Sequence, residues 1–117
     1  MKWIKLELNS LEIKQNDEIR GKIIIDYKNK YDGVIINTQI FDSNEFIEYL
    51  TCNSKRISKR ISSRLFINYK SIISNVIAFT ATIKFTPSIP HHDIKFRVCI
   101  IEQHKEIGED VIWARYS

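Results

Sequence analysis

Apolar and polar residues alternate along most of this chain with a period of two. From Ile77 to Phe85 the apolar residues Ile77, Phe79, Ala81, Ile83 and Phe85 are interleaved with Ala78, Thr80, Thr82 and Lys84, the pattern of a strand with one buried and one wetter face. A second alternation runs through Ile19, Gly21, Ile23, Ile25 and Tyr27, with Arg20, Lys22, Ile24 and Asp26 opposite. Val34, Ile36, Thr38 and Ile40 make a third, and Ile94, Phe96, Val98 and Ile100 a fourth. Shorter strands are expected at Ile4 to Leu8, Leu65 to Tyr69 and Val111 to Tyr116. Together these amount to about seven strands at the short spacing of a sandwich or barrel, two architectures that the alternation alone does not separate.

The connections fit an all-β chain. Lys28 to Gly33 is a polar turn ending in an Asp-Gly pair suited to positive φ. Pro87 and Pro90 cannot donate to a ladder, so the strand reaching Phe85 must stop there. His104 to Asp110, with Gly108, reads as the last turn. The region near residues 54–65 departs from the strand pattern. Ile57, Ile61 and Leu65 recur every four residues, the spacing of one helical face, and Ser54 is placed to cap such a helix. Serines at 54, 58, 62 and 63 equally suit a solvated loop. A short helix and a loop both remain open here.

With 117 residues the chain suits a single domain, residues 1–117, and a 44% hydrophobic, 27% charged composition is that of a globular protein. Its 23 isoleucines against 5 leucines favour pleated surfaces, although an A/T-rich genome enriches isoleucine too. No apolar run approaches the ~20 residues of a membrane-spanning helix, and Met1 to Lys5 lacks the apolar core of a secretion signal. A soluble, cytoplasmic protein is the expectation. Cys52 and Cys99 could form one bridge, but without a signal peptide free thiols are favoured.

Charge is divided unevenly. Between Tyr49 and His92 there is no Asp or Glu, while Lys55, Arg56, Lys59, Arg60, Arg64, Lys70 and Lys84 all fall there. The net charge of +4 therefore combines a basic centre with flanks in which 11 basic residues face 14 acidic ones. Clustered cations favour phosphate or carboxylate surfaces, and a solvated basic loop is the bland alternative.

Three stretches resemble arrestin-like domains. Asn16-Asp17-Glu18-Ile19-Arg20-Gly21-Lys22-Ile23-Ile24-Ile25 is similar to their early strand, in which a polar turn precedes a small residue and an apolar strand. Ala78 through Phe85, Thr86, Pro87, Ser88, Ile89 and Pro90 to Phe96 looks like their strand, proline-bearing loop and following strand. Trp113 and Ala114 echo the aromatic residue of a late strand. The resemblance implies an immunoglobulin-like β-sandwich that works by binding other proteins, and with about seven strands in one domain the expected fold is a single antiparallel sandwich of that type. Arrestins usually carry two such domains in tandem whereas this chain has room for one, and no family binding residue matches a position here.

The side chains do not assemble a familiar catalytic motif. Three glycines are too few for phosphate-cradling fingerprints, and His91, His92 and His104 stand in no nucleophile motif. His91, His92 and Asp93 could in principle hold a divalent metal, but adjacent strand residues point to opposite faces. Glu102, Glu106, Glu109 and Asp110 read as a solvated loop rather than an acid/base pair. Phe79, Phe85 and Phe96 are core positions, while Trp3, Tyr31, Phe46, Tyr49 and Trp113 are unassigned. No enzyme, cofactor or metal is expected.

Two functions follow. The first is a non-enzymatic protein-interaction module, adaptor or scaffold-like, with Lys55, Arg56, Lys59, Arg60 and Arg64 attracting an acidic partner. The second is sequence-independent binding of nucleic acid or another anionic surface through the same cations. No aromatic residue is interleaved within Lys55 to Arg64, which tells against base stacking. Serines beside cations at Arg56-Ile57-Ser58 and Arg60-Ile61-Ser62 are too short a pattern to carry a phosphorylation mechanism.

Overall fold

The computed structural model describes residues 2–117, the side chains of residues 58–61 excepted. Among the described residues the elements are β1 (Ile4–Leu8), β2 (Glu12–Ile13), β3 (Ile19–Ile25), β4 (Gly33–Ile40), β5 (Glu48–Cys52), β6 (Lys55–Ile61), β7 (Arg64–Asn68), a short 3₁₀ turn (Tyr69–Ser71), β8 (Val76–Thr82), β9 (His92–Glu102) and β10 (Lys105–Tyr116). The fold is all-β, with ten strands rather than about seven. They form two five-stranded sheets, ordered β1-β3-β8-β5-β6 and β2-β10-β9-β4-β7.

Alternation places the core between the sheets. In β3, Ile19, Gly21, Ile23 and Ile25 are buried while Arg20 and Lys22 are exposed. Ile77, Phe79 and Ala81 on β8 and Ile94, Phe96, Val98 and Ile100 on β9 supply the facing side chains. Each such aliphatic or aromatic side chain is worth roughly 1.5–3 kcal/mol on burial, so the two inner faces hold the sheets together. Gly21 makes room for its cross-strand neighbour: a Cβ there would lie 2.2 Å from the Phe79 ring.

Several expectations are corrected. Residues 54–65 are neither helix nor loop but β6, a two-residue crossover and β7. A four-residue recurrence is also twice the strand period, so Ile57, Ile61 and Leu65 suit a strand as well as a helix. The hairpin between β5 and β6 turns at Asn53 and Ser54, with φ of 49° and 69°, the geometry of a two-residue turn matching strand twist. Strand β5 escaped notice because it is short and interrupted by a register shift between Tyr49 and Thr51.

The last turn is also tighter than expected. It closes at Gln103 and His104, with φ of 49° and 65°, and β10 runs on from Lys105. Gly108, at φ 80°, sits in an irregularity between Ile107 and Glu109 that lets the strand absorb an extra residue. Gly33 opens β4 at ordinary φ; its lack of a side chain serves close approach, since a Cβ would lie 2.3 Å from the Ile67 carbonyl oxygen. Strand β8 ends at Thr82, where the Ile83 carbonyl accepts from the Asn16 N–H at 2.9 Å instead of a ladder partner.

Nor is the sandwich wholly antiparallel. β2 runs parallel to β10, pairing Arg115 with Glu12 and Tyr116 with Ile13. It is reached by a crossover from the other sheet, through residues 9–11, rather than by a hairpin, and so is free of the direction a hairpin imposes.

Candidate functional site

Both flanks of the sandwich are crossed by a short link between edge strands, from β1 to β2 on one side and from β6 to β7 on the other. The two flanks are closed differently. On the first, the buried Asp110 of β10 accepts from the Leu6 N–H of β1 at 2.8 Å and from Lys2 Nζ at 2.5 Å, joining the sheets. Burial works to raise the pKa of Asp110, but Lys2 and the Leu6 N–H outweigh it and hold the carboxyl below its ordinary range.

On the second flank β6 is hydrogen-bonded to β5 and β7 to β4, and each ends its own sheet. The space between them is a window of about 410 Å³. Ile57, half-buried, and the buried Leu65 and Ile67 form its floor, while the exposed Lys55, Arg56 and Lys70 stand at its rim. Both ends are tied. At one, the buried Tyr49 hydroxyl meets Thr38 Oγ1 at 2.9 Å and the Ser63 carbonyl at 3.3 Å, spanning from β5 to β4 beside the crossover. At the other, Asn53 Nδ2 donates to the Ser71 carbonyl at 3.0 Å, and Asn53 Oδ1 accepts from the Ala78 N–H at 2.8 Å. Asn68 Oδ1 accepts from the Lys70 N–H at 2.9 Å, which starts the 3₁₀ turn and carries Lys70 to the rim.

The basic segment is thus divided among different surroundings. Lys55 and Arg56 line the window, joined by Lys70 from the turn after β7. Arg64 lies outside it, on the outer face of β7, where its charge helps to lower the pKa of Glu106. Lys59 and Arg60 belong to β6, and their side chains lie outside the described residues. Lys84 pairs with Glu48 at 3.0 Å. Among the described residues, no ion pair involves Lys55, Arg56, Arg64 or Lys70.

The acidic residues near the chain end are strand residues, not a solvated loop. Glu106 and Glu109 grip Arg97 of β9 from β10, the first at 2.8 Å from Nη2 and the second through Nε. The hydrogen bond from Arg97 is the leading cause that lowers the Glu106 pKa, and the same clamp raises that of Arg97. Glu102 accepts from the Tyr27 hydroxyl at 2.7 Å. These carboxylates are held in fixed contacts.

The histidines diverge as strand geometry requires. His92 is buried, with Nδ1 2.9 Å from the Phe41 carbonyl, while His91 and Asp93 on either side are exposed. Both cysteines are unbridged. Burial pushes the Cys99 thiol up to about 11 and raises that of Cys52, so both are protonated near neutrality and are poor nucleophiles. Of the unassigned aromatics, Tyr31 and Tyr49 are buried, and Trp3, Phe46 and Trp113 are exposed. Trp113 packs on Phe41 at 5.4 Å between ring centroids, away from the window. Sequence reasoning missed the apolar floor and the part played by Lys70. The alternation of Leu65 and Ile67 was visible, but not that its facing sheet would stop short.

No family model matches the chain, and comparison with curated proteins finds no match. Among solved structures it is similar to a conjugative transposon lipoprotein from Bacteroides eggerthii DSM 20697, with TM-score 0.55 and 9% identity over 98% of this chain and 97% of that one. It is similar also to BslA, a bacterial hydrophobin, with TM-score 0.51 and 8% identity over 97% and 98% of the two chains. AvmM, which catalyses macrocyclization in alchivemycin A biosynthesis, matches with TM-score 0.50 and 8% identity over 100% of this chain and 90% of that one. At such identities the likeness shows a small all-β fold, and proteins of such different kinds on it carry no function across. Among the described residues no helix is long and apolar enough to cross a membrane.

Proposed function

We propose that this chain is a non-enzymatic, cytoplasmic protein-interaction module that engages a partner at the window between β6 and β7. One observation carries the reading: two edge strands part around an apolar floor whose rim bears Lys55, Arg56 and Lys70 without ion-pair partners among the described residues. Apolar contact supplies affinity and the cations supply attraction and orientation toward an acidic partner. At about 410 Å³ the window lies toward the small end of the ~300–1,000 Å³ typical of binding pockets, room for a few side chains. The unbridged cysteines fit a reducing compartment. We also read the sandwich as immunoglobulin-like with an arrestin-like flavour. The succession of β8, the loop holding Pro87 and Pro90, and β9 supports that reading.

Selection from a displayed library of random peptides tests the proposal, run against the wild type and against the Lys55→Glu, Arg56→Glu, Lys70→Glu triple variant. Enrichment on the wild type that is lost on a folded variant supports a protein-binding window. Absence of enrichment, together with saturable nucleic-acid binding in fluorescence anisotropy and a steep decline with salt, would replace it with phosphate binding.

A further inference from the structure

We infer that the window is a strand-acceptor site: it takes an extended segment of another protein in which apolar residues alternate with Asp or Glu, added alongside β6. The inference rests on the protein-interaction reading above and specifies its partner.

Three observations lead to it. First, β6 has seven residues and, among the described residues, no strand on its outer side, so it presents a row of main-chain donors and acceptors. At about 3.3 Å per residue that edge extends for roughly 20 Å, enough for a segment of similar length to pair with it. Second, an added strand sends alternate side chains to opposite faces. One set reaches the floor, where Ile57 is half-buried beside the buried Leu65 and Ile67. The other set points to the outer face of β6, where Arg56 stands, while Lys55, on the same face as Ile57, and Lys70 border the floor itself. Third, the chain contains no Asp or Glu between Tyr49 and His92, so the stretch that frames the window has no carboxylate of its own to satisfy these cations.

Charge also decides what is refused. An exposed strand edge is a template for a second copy of the same chain, and lysines on it are a common defence. Pairing β6 with another β6 would bring Lys55 and Arg56 of one copy onto a ladder already carrying the same cations. The cations that repel a copy attract an acidic strand, so one set of residues provides both exclusion and recognition. A nucleic-acid backbone would meet the rim but offer nothing to the apolar floor.

The test uses the intact chain and a labelled peptide alternating valine and glutamate over the length of β6. Two controls accompany it: a peptide of equal composition with all glutamates in one block, and an alternating peptide N-methylated on every second amide. The expected result is saturable binding by anisotropy, at least tenfold weaker for either control, with amide hydrogen exchange in β6 slowed by the alternating peptide alone. The Lys55→Glu, Arg56→Glu, Lys70→Glu variant should lose binding at an unchanged circular dichroism spectrum. Should it unfold, Lys55→Gln with Lys70→Gln serves in its place and should weaken binding. Equal binding of all three peptides, or protection of amides away from β6, would overturn strand addition while leaving an interaction module. No binding of the alternating peptide, despite enrichment of other sequences from the random library, would overturn the inference alone. Failure of the library selection as well would remove both.

Discussion

The two flanks of the sandwich meet the same geometrical problem, two sheets ending side by side, with different chemistry. At the β1 and β2 flank a buried carboxylate, Asp110, reaches across the gap to a main-chain N–H and a lysine, and the residues beside it, Ile4 and Leu6, are almost wholly buried. At the β6 and β7 flank the ties among the described residues stand at the ends, at Tyr49 and Asn53, and between them Ile57 is only half-buried. A flank closed along its length is devoted to stability. One tied at its ends keeps its shape while leaving the β6 main chain available, a suitable arrangement for binding.

The comparison is tested most strongly by truncating equivalent apolar residues on the two flanks. Leu6→Ala should cost about 3 kcal/mol, in the range for a buried leucine, and Ile57→Ala about 1 kcal/mol or less, because its side chain is already partly in solvent. Denaturant unfolding of both variants measures this, and equal losses would show that the β6 flank is packed as tightly as the other. Asp110→Asn should follow, at about 2 kcal/mol near neutral pH, since hydrogen bonds to a charged group are lost. The Asp110 pKa is lowered by folding, so its contribution is full above the ordinary value of 3.8 and disappears as pH falls through the lower value held in the native state. Unfolding titrations from pH 7 to pH 2 should therefore show wild type and variant converging at the acid end.

Tyr49→Phe removes the tie at one end of the window and should cost about 1 kcal/mol, by leaving Thr38 Oγ1 without this hydrogen bond. If the end ties shape the window, peptide affinity should fall in this variant as well. The smallest effect on stability is expected from changing the exposed Lys55 and Arg56 together to Ala, within about 0.5 kcal/mol, as for surface positions away from special features. The same variant should lose anion binding. Unfolding of this variant by thermal melt would instead assign the segment a structural role.

Much of the fold was legible because alternation is local. Strands β1, β3, β4, β8 and β9 announced themselves through inward isoleucines and phenylalanines, and β7 through Leu65 and Ile67. What escaped were elements whose signals were ambiguous or set by distant partners. The spacing of Ile57 and Ile61 satisfies helix and strand alike, β2 is a two-residue pairing created by its neighbour, and Gly108 marks an irregularity where a turn was expected. Of the candidate site, the cluster of cations could be seen, but Lys55 and Arg56 are separated from Lys70 by most of two strands.

By itself the sequence determined the all-β class, the inward-facing residues and a basic centre lacking carboxylates, since period and charge are properties of neighbouring residues. Only the tertiary structure decided which strands became edges, and so where the window lies. The order of strands in a sheet depends on pairings between distant segments. It is this order, β6 last in one sheet and β7 last in the other, that turned a run of cations into the rim of an apolar window.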